Sequence, residues 1–244
     1  MFFFDPLYLL FSLPALALGL WAQFRVMSTF KKFAEVPTPY RMTGAEIARR
    51  ILSINGLHQV KVEMAQGFLS DHYDPTARVL RLSPDVYNGD SLSAAGVAAH
   101  EAGHAIQHAN GYLPLQIRSA IVPVVSIGSW VGPLVFMAGM LMAPLVGTGL
   151  AWMGVLLFAG VAAFTLVTLP VEFDASSRAK EILLVQGIIR PQEMRGVNAV
   201  LDAAALTYVA GAVQAISTLL YYVFLLTGFN RSEEQGNIWR LSQM

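Results

Sequence analysis

The sequence predicts a mainly α-helical membrane protein: four transmembrane helices carrying a small α+β part in water. Three observations predict it. Only 13% of the 244 residues are charged, against roughly 25% in an ordinary soluble domain. The charges are also unevenly placed: Pro6–Phe24, Ser119–Val171 and Ala203–Asn230 contain no Asp, Glu, Lys or Arg. Between these tracts the charged residues cluster in segments with the turn and capping signals of folded structure. A disordered chain is excluded by composition. With 16 basic and 16 acidic residues there is no electrostatic footprint for nucleic acid, and without cysteine there are no disulfides or thiolate sites.

A spanning helix needs about 20 mostly apolar residues. The first tract supplies one over residues 7–24. Its flank, Met1–Asp5, has no Lys or Arg, so it reads as an uncleaved anchor, not a signal peptide. The second tract is long enough for a hairpin, with helices near 120–143 and 150–170 and a break at Gly147-Thr148-Gly149. The fourth span covers Leu206–Thr227. Gly128 and Gly132 form a small-xxx-small pair that allows close helix approach. Fourteen Lys and Arg fall in 25–118 and 171–202, and two, Arg231 and Arg240, in the C-terminal tail. The excess of positive charge puts the two larger segments in the cytoplasm and both termini outside. The expected division is a 1–26 anchor, a 27–118 cytoplasmic part, a 119–170 hairpin, a 171–205 cytoplasmic helical segment, a 206–228 span and a 229–244 tail.

Within the first cytoplasmic part, Thr43-Gly-Ala-Glu46 is a capping box opening an amphipathic helix that Asn55-Gly56 closes. Val60–Met64, Gly67–His72 and Arg78–Leu82 are strand-like runs, with Asp74-Pro75 as a turn, and predict a short antiparallel sheet. A helix follows over Leu92–Ala109, capped by Asp90, Ser91 or Ser93 and ended by Asn110-Gly111.

That helix contains His100-Glu101-Ala-Gly-His104. Residues four apart share a helix face, so both imidazoles can reach one metal ion, and Glu101 is placed to serve a water molecule as general base. This is the HExxH arrangement of zinc peptidases. The metzincin continuation is excluded, because Gln107 and Asn110 stand where its Gly and His are required. The third ligand is then a downstream carboxylate: Glu172, Asp174, Glu181, Glu193 or Asp202. Glu172 is favoured, because the hairpin returns it beside the His helix. Asp174 is the alternative ligand, or a carboxylate that orients a ligand His. His108 at the end of the helix, His72 before the Asp74 turn, Tyr208 at the inner end of the fourth span, and Arg178 are further candidates for supporting a ligand or touching substrate. Each also has an ordinary structural reading as a surface or interfacial residue.

These motifs, with Leu69–Pro75, Leu80–Pro84, Val97–His108, Gly111–Leu115, Leu169–Ser176 and Ala203–Tyr208, make the sequence resemble the neutral zinc metallopeptidases of bacterial membranes, the YugP type. In the order of its parts it is also similar to membrane gluzincin peptidases of the HtpX and Ste24 types. The resemblance implies a zincin-like cytoplasmic part, one Zn²⁺ at His100, His104 and Glu172, and Glu101 as catalytic base. The wider group often carries Asp four residues after the ligand Glu. Here Ser176 stands there, which leaves the orienting role open. The expected activity is endopeptidase cleavage of membrane or membrane-associated proteins, with the edge of strands 67–72 and 78–82 offered to an extended substrate. The expected partners are the lipid bilayer, protein or peptide substrates, and an adaptor or a second copy of the chain. The rival reading is a catalytically silent membrane scaffold with a structural zinc, closed by four protein ligands.

Overall fold

The computed structural model describes residues 6–241, with side chains up to residue 228. The expected terminal flanks, residues 1–5 and 242–244, lie outside the described residues, as do the Arg231 and Arg240 side chains. The elements run α1 (Pro6–Ala34), α2 (Gly44–Ile54), β1 (Lys61–Met64), β2 (His72–Asp74), β3 (Val79–Leu82), α3 (Pro84–Asn88), α4 (Leu92–Ala109), α5 (Leu113–Val146), α6 (Gly149–Val185) and α7 (Met194–Leu241). Four helices are long and apolar enough to cross a membrane: α1, α5, α6 and α7 up to Gly228. The protein is a mainly α multi-pass membrane protein with a small α+β part.

The chain divides into two compact units. One comprises the residues up to Gly19, Arg118–Val167 and those from Ala210. Here α5 and α6 form the hairpin expected from Gly147, whose φ of 76° is a left-handed conformation that suits glycine. The pairing depends on missing side chains. A Cβ on Gly154 would run into the Phe136 backbone nitrogen, and one on Gly139 into that of Ala151. Gly128 and Gly132 also face α6: a Cβ on either would lie 3.3 Å from its backbone at the nearest point. Phe136 is buried and stacks on Tyr222 at 4.1 Å between ring centroids.

The second unit comprises Leu20–Ile117 and Thr168–Val209. Its core joins Ile47, Ile51 and Leu52 of α2, Leu80 and Leu82 of β3, the alanines of α4, and Leu183 and Leu201. The capping box opens α2: the Glu46 amide donates to Thr43 Oγ1 (3.3 Å) and the Thr43 amide to the Glu46 carboxylate (2.8 Å). Ser91 caps α4, accepting from the Ala94 amide at 3.2 Å. Ser93 of α4 donates to the Phe30 carbonyl of α1 at 2.8 Å.

The sheet is mixed, which corrects the antiparallel expectation. Its order is β1-β3-β2, with β1 parallel and β2 antiparallel to β3. The Asp74 turn folds β2 back onto β3 as a hairpin, so β1 is left to pair with the opposite edge of β3 in the same direction. β3 is therefore central and cannot offer an edge; its Val79, Leu80 and Leu82 are buried. The spans also run on beyond their expected ends. At about 1.5 Å per residue, the 37-residue α6 is about 55 Å long, nearly twice a bilayer core of about 30 Å. Residues 171–185 are thus the continuation of a span and not a separate helix.

Candidate metal centre

Small residues let α4 approach α6. Ala98, Ala99, Ala102 and Ala105 are fully buried or nearly so. Gly103, inside the HExxH motif, marks the closest point: a Cβ there would lie 2.8 Å from the Ala175 carbonyl oxygen. This contact brings Glu172, almost a turn before Ala175, onto the His face of α4. The Glu172 Oε2 atom is 3.1 Å from His100 Nε2 and 3.5 Å from His104 Nε2. One donor atom from each of the three residues falls within 4.8 Å of the others. Ligand atoms about 2.0–2.2 Å from a shared tetrahedral ion stand about 3.3–3.6 Å apart. Two neutral imidazole nitrogens and a carboxylate oxygen suit zinc. The residues present therefore fit the ion.

Each imidazole is fixed from behind. His100 Nδ1 pairs with the Ser176 hydroxyl at 3.0 Å, and His104 Nδ1 with Gln107 Oε1 at 3.0 Å. Gln107 is fully buried. Its amide nitrogen donates to the Val171 carbonyl and to Asp174 Oδ2, both at 2.8 Å. Both amide hydrogens are thereby committed, so Oε1 must accept, and His104 must carry its proton on Nδ1. Nε2 is the ring atom left to face Glu172. Arg178 Nε in turn donates to Asp174 at 2.6 Å, and its guanidinium lies 6.0 Å from the Tyr112 ring centre. Burial disfavours a charged His104, but the hydrogen bond to Glu172 and the charges of Glu101 and Glu172 outweigh it and hold its pKa above 6.5 in the metal-free chain.

Glu101 is buried next to this group. It lies close enough to Asp71 for their charges to repel. Asp71 accepts from the Ser83 amide (2.7 Å) and hydroxyl (3.0 Å), tying the entry of β2 to the start of α3. Burial first, and Glu101 after it, push the Asp71 carboxyl above its ordinary value despite those bonds.

The structure brings His100, His104 and Glu172 together and sets Asp174 and Arg178 two and three steps behind His104, through Gln107. His108 bonds instead to the Tyr73 hydroxyl at 2.9 Å. Alternation along β2 turns Tyr73 toward α4, so His72 points the other way. There its Nδ1 donates to the Ser70 carbonyl, and its Nε2 lies 3.5 Å from Arg81. Tyr208 is half-buried on α7. Sequence reasoning missed Gln107 and Ser176. The signal was the spacing: Gln107 is three residues after His104, and Ser176 is four after Glu172, so each faces the same side as its partner.

The family profile described as "putative neutral zinc metallopeptidase" matches residues 8–227. The "putative membrane protease YugP" of Bacillus subtilis (strain 168) is 52% identical over 219 residues, covering 90% of this chain and 96% of that protein. No solved structure matches the chain. A match over nine-tenths of the chain, on a fold with four helices long and apolar enough to cross a membrane, shows that this protein belongs to the neutral zinc metallopeptidase family.

Proposed function

We propose that the chain is a zinc-dependent endopeptidase that cuts membrane or membrane-associated proteins at the cytoplasmic face of the bilayer. The observation that carries the proposal is the convergence of His100 Nε2, His104 Nε2 and a Glu172 oxygen, with both Nδ1 atoms occupied from behind. His100, His104 and Glu172 hold one zinc ion. When bound, it supplies Lewis acidity, polarising the scissile carbonyl and acidifying water. Three protein donors leave a position open, whereas a structural zinc is closed by four, and this favours the enzyme over the scaffold.

Glu101 is the general base. It takes a proton from the attacking water as the oxygen adds to the carbonyl carbon, then delivers that proton to the leaving nitrogen as the C–N bond breaks. Burial keeps its carboxylate out of bulk water. Ser176 and the Gln107–Asp174–Arg178 chain hold the two rings in place. β2, paired only to β3, has a free edge on the sheet margin that contacts α4, and an extended substrate adds there as a strand. The charge distribution supports a cytoplasmic site with both termini outside.

The test is Glu101→Gln expressed in membranes beside the wild type, with comparative membrane proteomics. Proteins that accumulate or co-purify with the variant identify substrates. Unchanged proteolysis in a variant that still holds zinc overturns Glu101 as the base.

A further inference from the structure

We propose that the cavity between the end of α1 and the start of α7 binds the phosphate headgroup of an anionic phospholipid. The cavity has a volume of about 310 Å³ and is lined by Arg25, Ser28 and Lys32 of α1 and by Arg195 of α7. No acidic residue lines it. An adjoining cavity of about 430 Å³ shares Lys32, Phe33 and Arg195, so two of these cations front both. Its acid, Glu193, is turned to the Arg190 amide.

Arg25, Lys32 and Arg195 form no ion pair with an acidic side chain among the described residues. Four other basic residues of this unit do: Arg41 with Asp90, Arg81 with Asp74, Arg178 with Asp174 and Lys180 with Asp202. The three cations are exposed. Drawing three like charges around one cavity costs free energy unless an anion joins them, and a phosphate group fits the volume and the donors. Arg195 also sits in the first turn of α7, where the helix end itself favours an anion.

Depth selects the source of that phosphate. Arg25 directly follows the charge-free Pro6–Phe24 run, so it stands where α1 leaves the hydrocarbon. Lys32 is seven residues further on, about 10 Å along the helix. The headgroup layer is about 5–8 Å deep on each side of the core, so the cavity begins at its level, at Arg25, and ends just beyond it. A bound headgroup bridges α1 and α7 and anchors the α4–α6 unit to the anionic leaflet.

The test is native mass spectrometry of the full chain released from nanodiscs of phosphatidylcholine and phosphatidylglycerol in equal amounts. The wild type retains phosphatidylglycerol over phosphatidylcholine. Each cation near the surface contributes a factor of about five, so the triple variant Arg25→Gln, Lys32→Gln, Arg195→Gln loses the preference by about a hundredfold. A control neutralising Arg49, Arg50 and Lys61 keeps it, and circular dichroism melting verifies that both variants fold. No preference in the wild type, or an equal loss in the control, overturns the site. Displacement of phosphatidylglycerol by millimolar inorganic phosphate overturns the lipid assignment and leaves a soluble-anion pocket in its place.

Discussion

Two helix crossings in this molecule use the same device for different ends. In one unit, Gly154 and Gly139 remove the side chains that would hold α5 and α6 apart, and the contact they allow is apolar. In the other, Gly103 removes the side chain that would hold α4 and α6 apart, and the contact delivers a carboxylate to two imidazoles. The first crossing makes a stable span pair; the second makes a candidate reaction centre. The polar atoms show the contrast too. At the α4–α6 crossing, Gln107, Ser176 and Glu172 are buried, and each has a partner on the opposite helix. A glycine lost from each crossing should therefore have consequences of different kinds.

The largest effect is expected for Gly103→Val. It forces α6 away from the His pair, and displacements of about 1 Å at a reaction centre cost about a hundredfold in rate. Zinc per folded chain falls with it. Gly154→Val should instead lower stability by about 1–3 kcal/mol, with zinc per folded chain unchanged. Metal analysis of the folded fraction, alongside thermal melting, separates the two. Equal zinc loss in both variants would erase the distinction.

The next effect sharpens the picture within the α4–α6 crossing. Replacing a residue that orients a metal-bound His typically costs 10–100-fold in affinity, roughly. Gln107→Leu should lie near the upper end, because it frees the His104 ring and also strips partners from Asp174 and the Val171 carbonyl. Ser176→Ala should lie near the lower end, because it removes a single bond to His100. Zinc titration against a chelator measures both, and a larger loss in Ser176→Ala would contradict the ranking.

The smallest effect lies in the sheet. Asp74 accepts from the Ala77 and Thr76 amides and from Arg81. The Ala77 bond first, then Arg81 and the Thr76 bond, hold its carboxyl below the ordinary value of 3.8. A carboxyl depressed by folding adds stability above its unfolded value and loses it as pH falls through the folded value. Acid unfolding of the wild type should therefore carry a shallow component below about pH 4 that Asp74→Ala lacks, read by circular dichroism. The sheet and the Gly154 crossing belong to different compact units, so a Gly154→Val background leaves the difference unaltered.

Much of this was legible in the sequence because the signals are local. Charge-free tracts mark the spans, and Thr43 with Glu46 marks the start of α2. His100 and His104 share a face by spacing alone. Glu172 could be favoured because a hairpin with a tight break must return near its origin. What was not legible depends on which helix meets which, and at what rotation. Gln107 read only as a departure from a different pattern; its role appears once α6 places Asp174 and Val171 opposite it. Ser176 read as a missing Asp, yet its hydroxyl reaches His100. The parallel pairing of β1 with β3 was hidden for the same reason: alternation shows that a strand exists, not which edge it joins.

The central claim is that His100, His104 and Glu172 hold one zinc ion with a position left open. X-ray absorption at the zinc edge of the purified full-length chain tests it most directly. The expected result is one zinc per chain with two imidazole nitrogens and otherwise oxygen neighbours, and loss of that signature in both His104→Ala and Glu172→Ala. A spectrum unchanged by either substitution, or a shell closed by additional imidazole ligands, would contradict it.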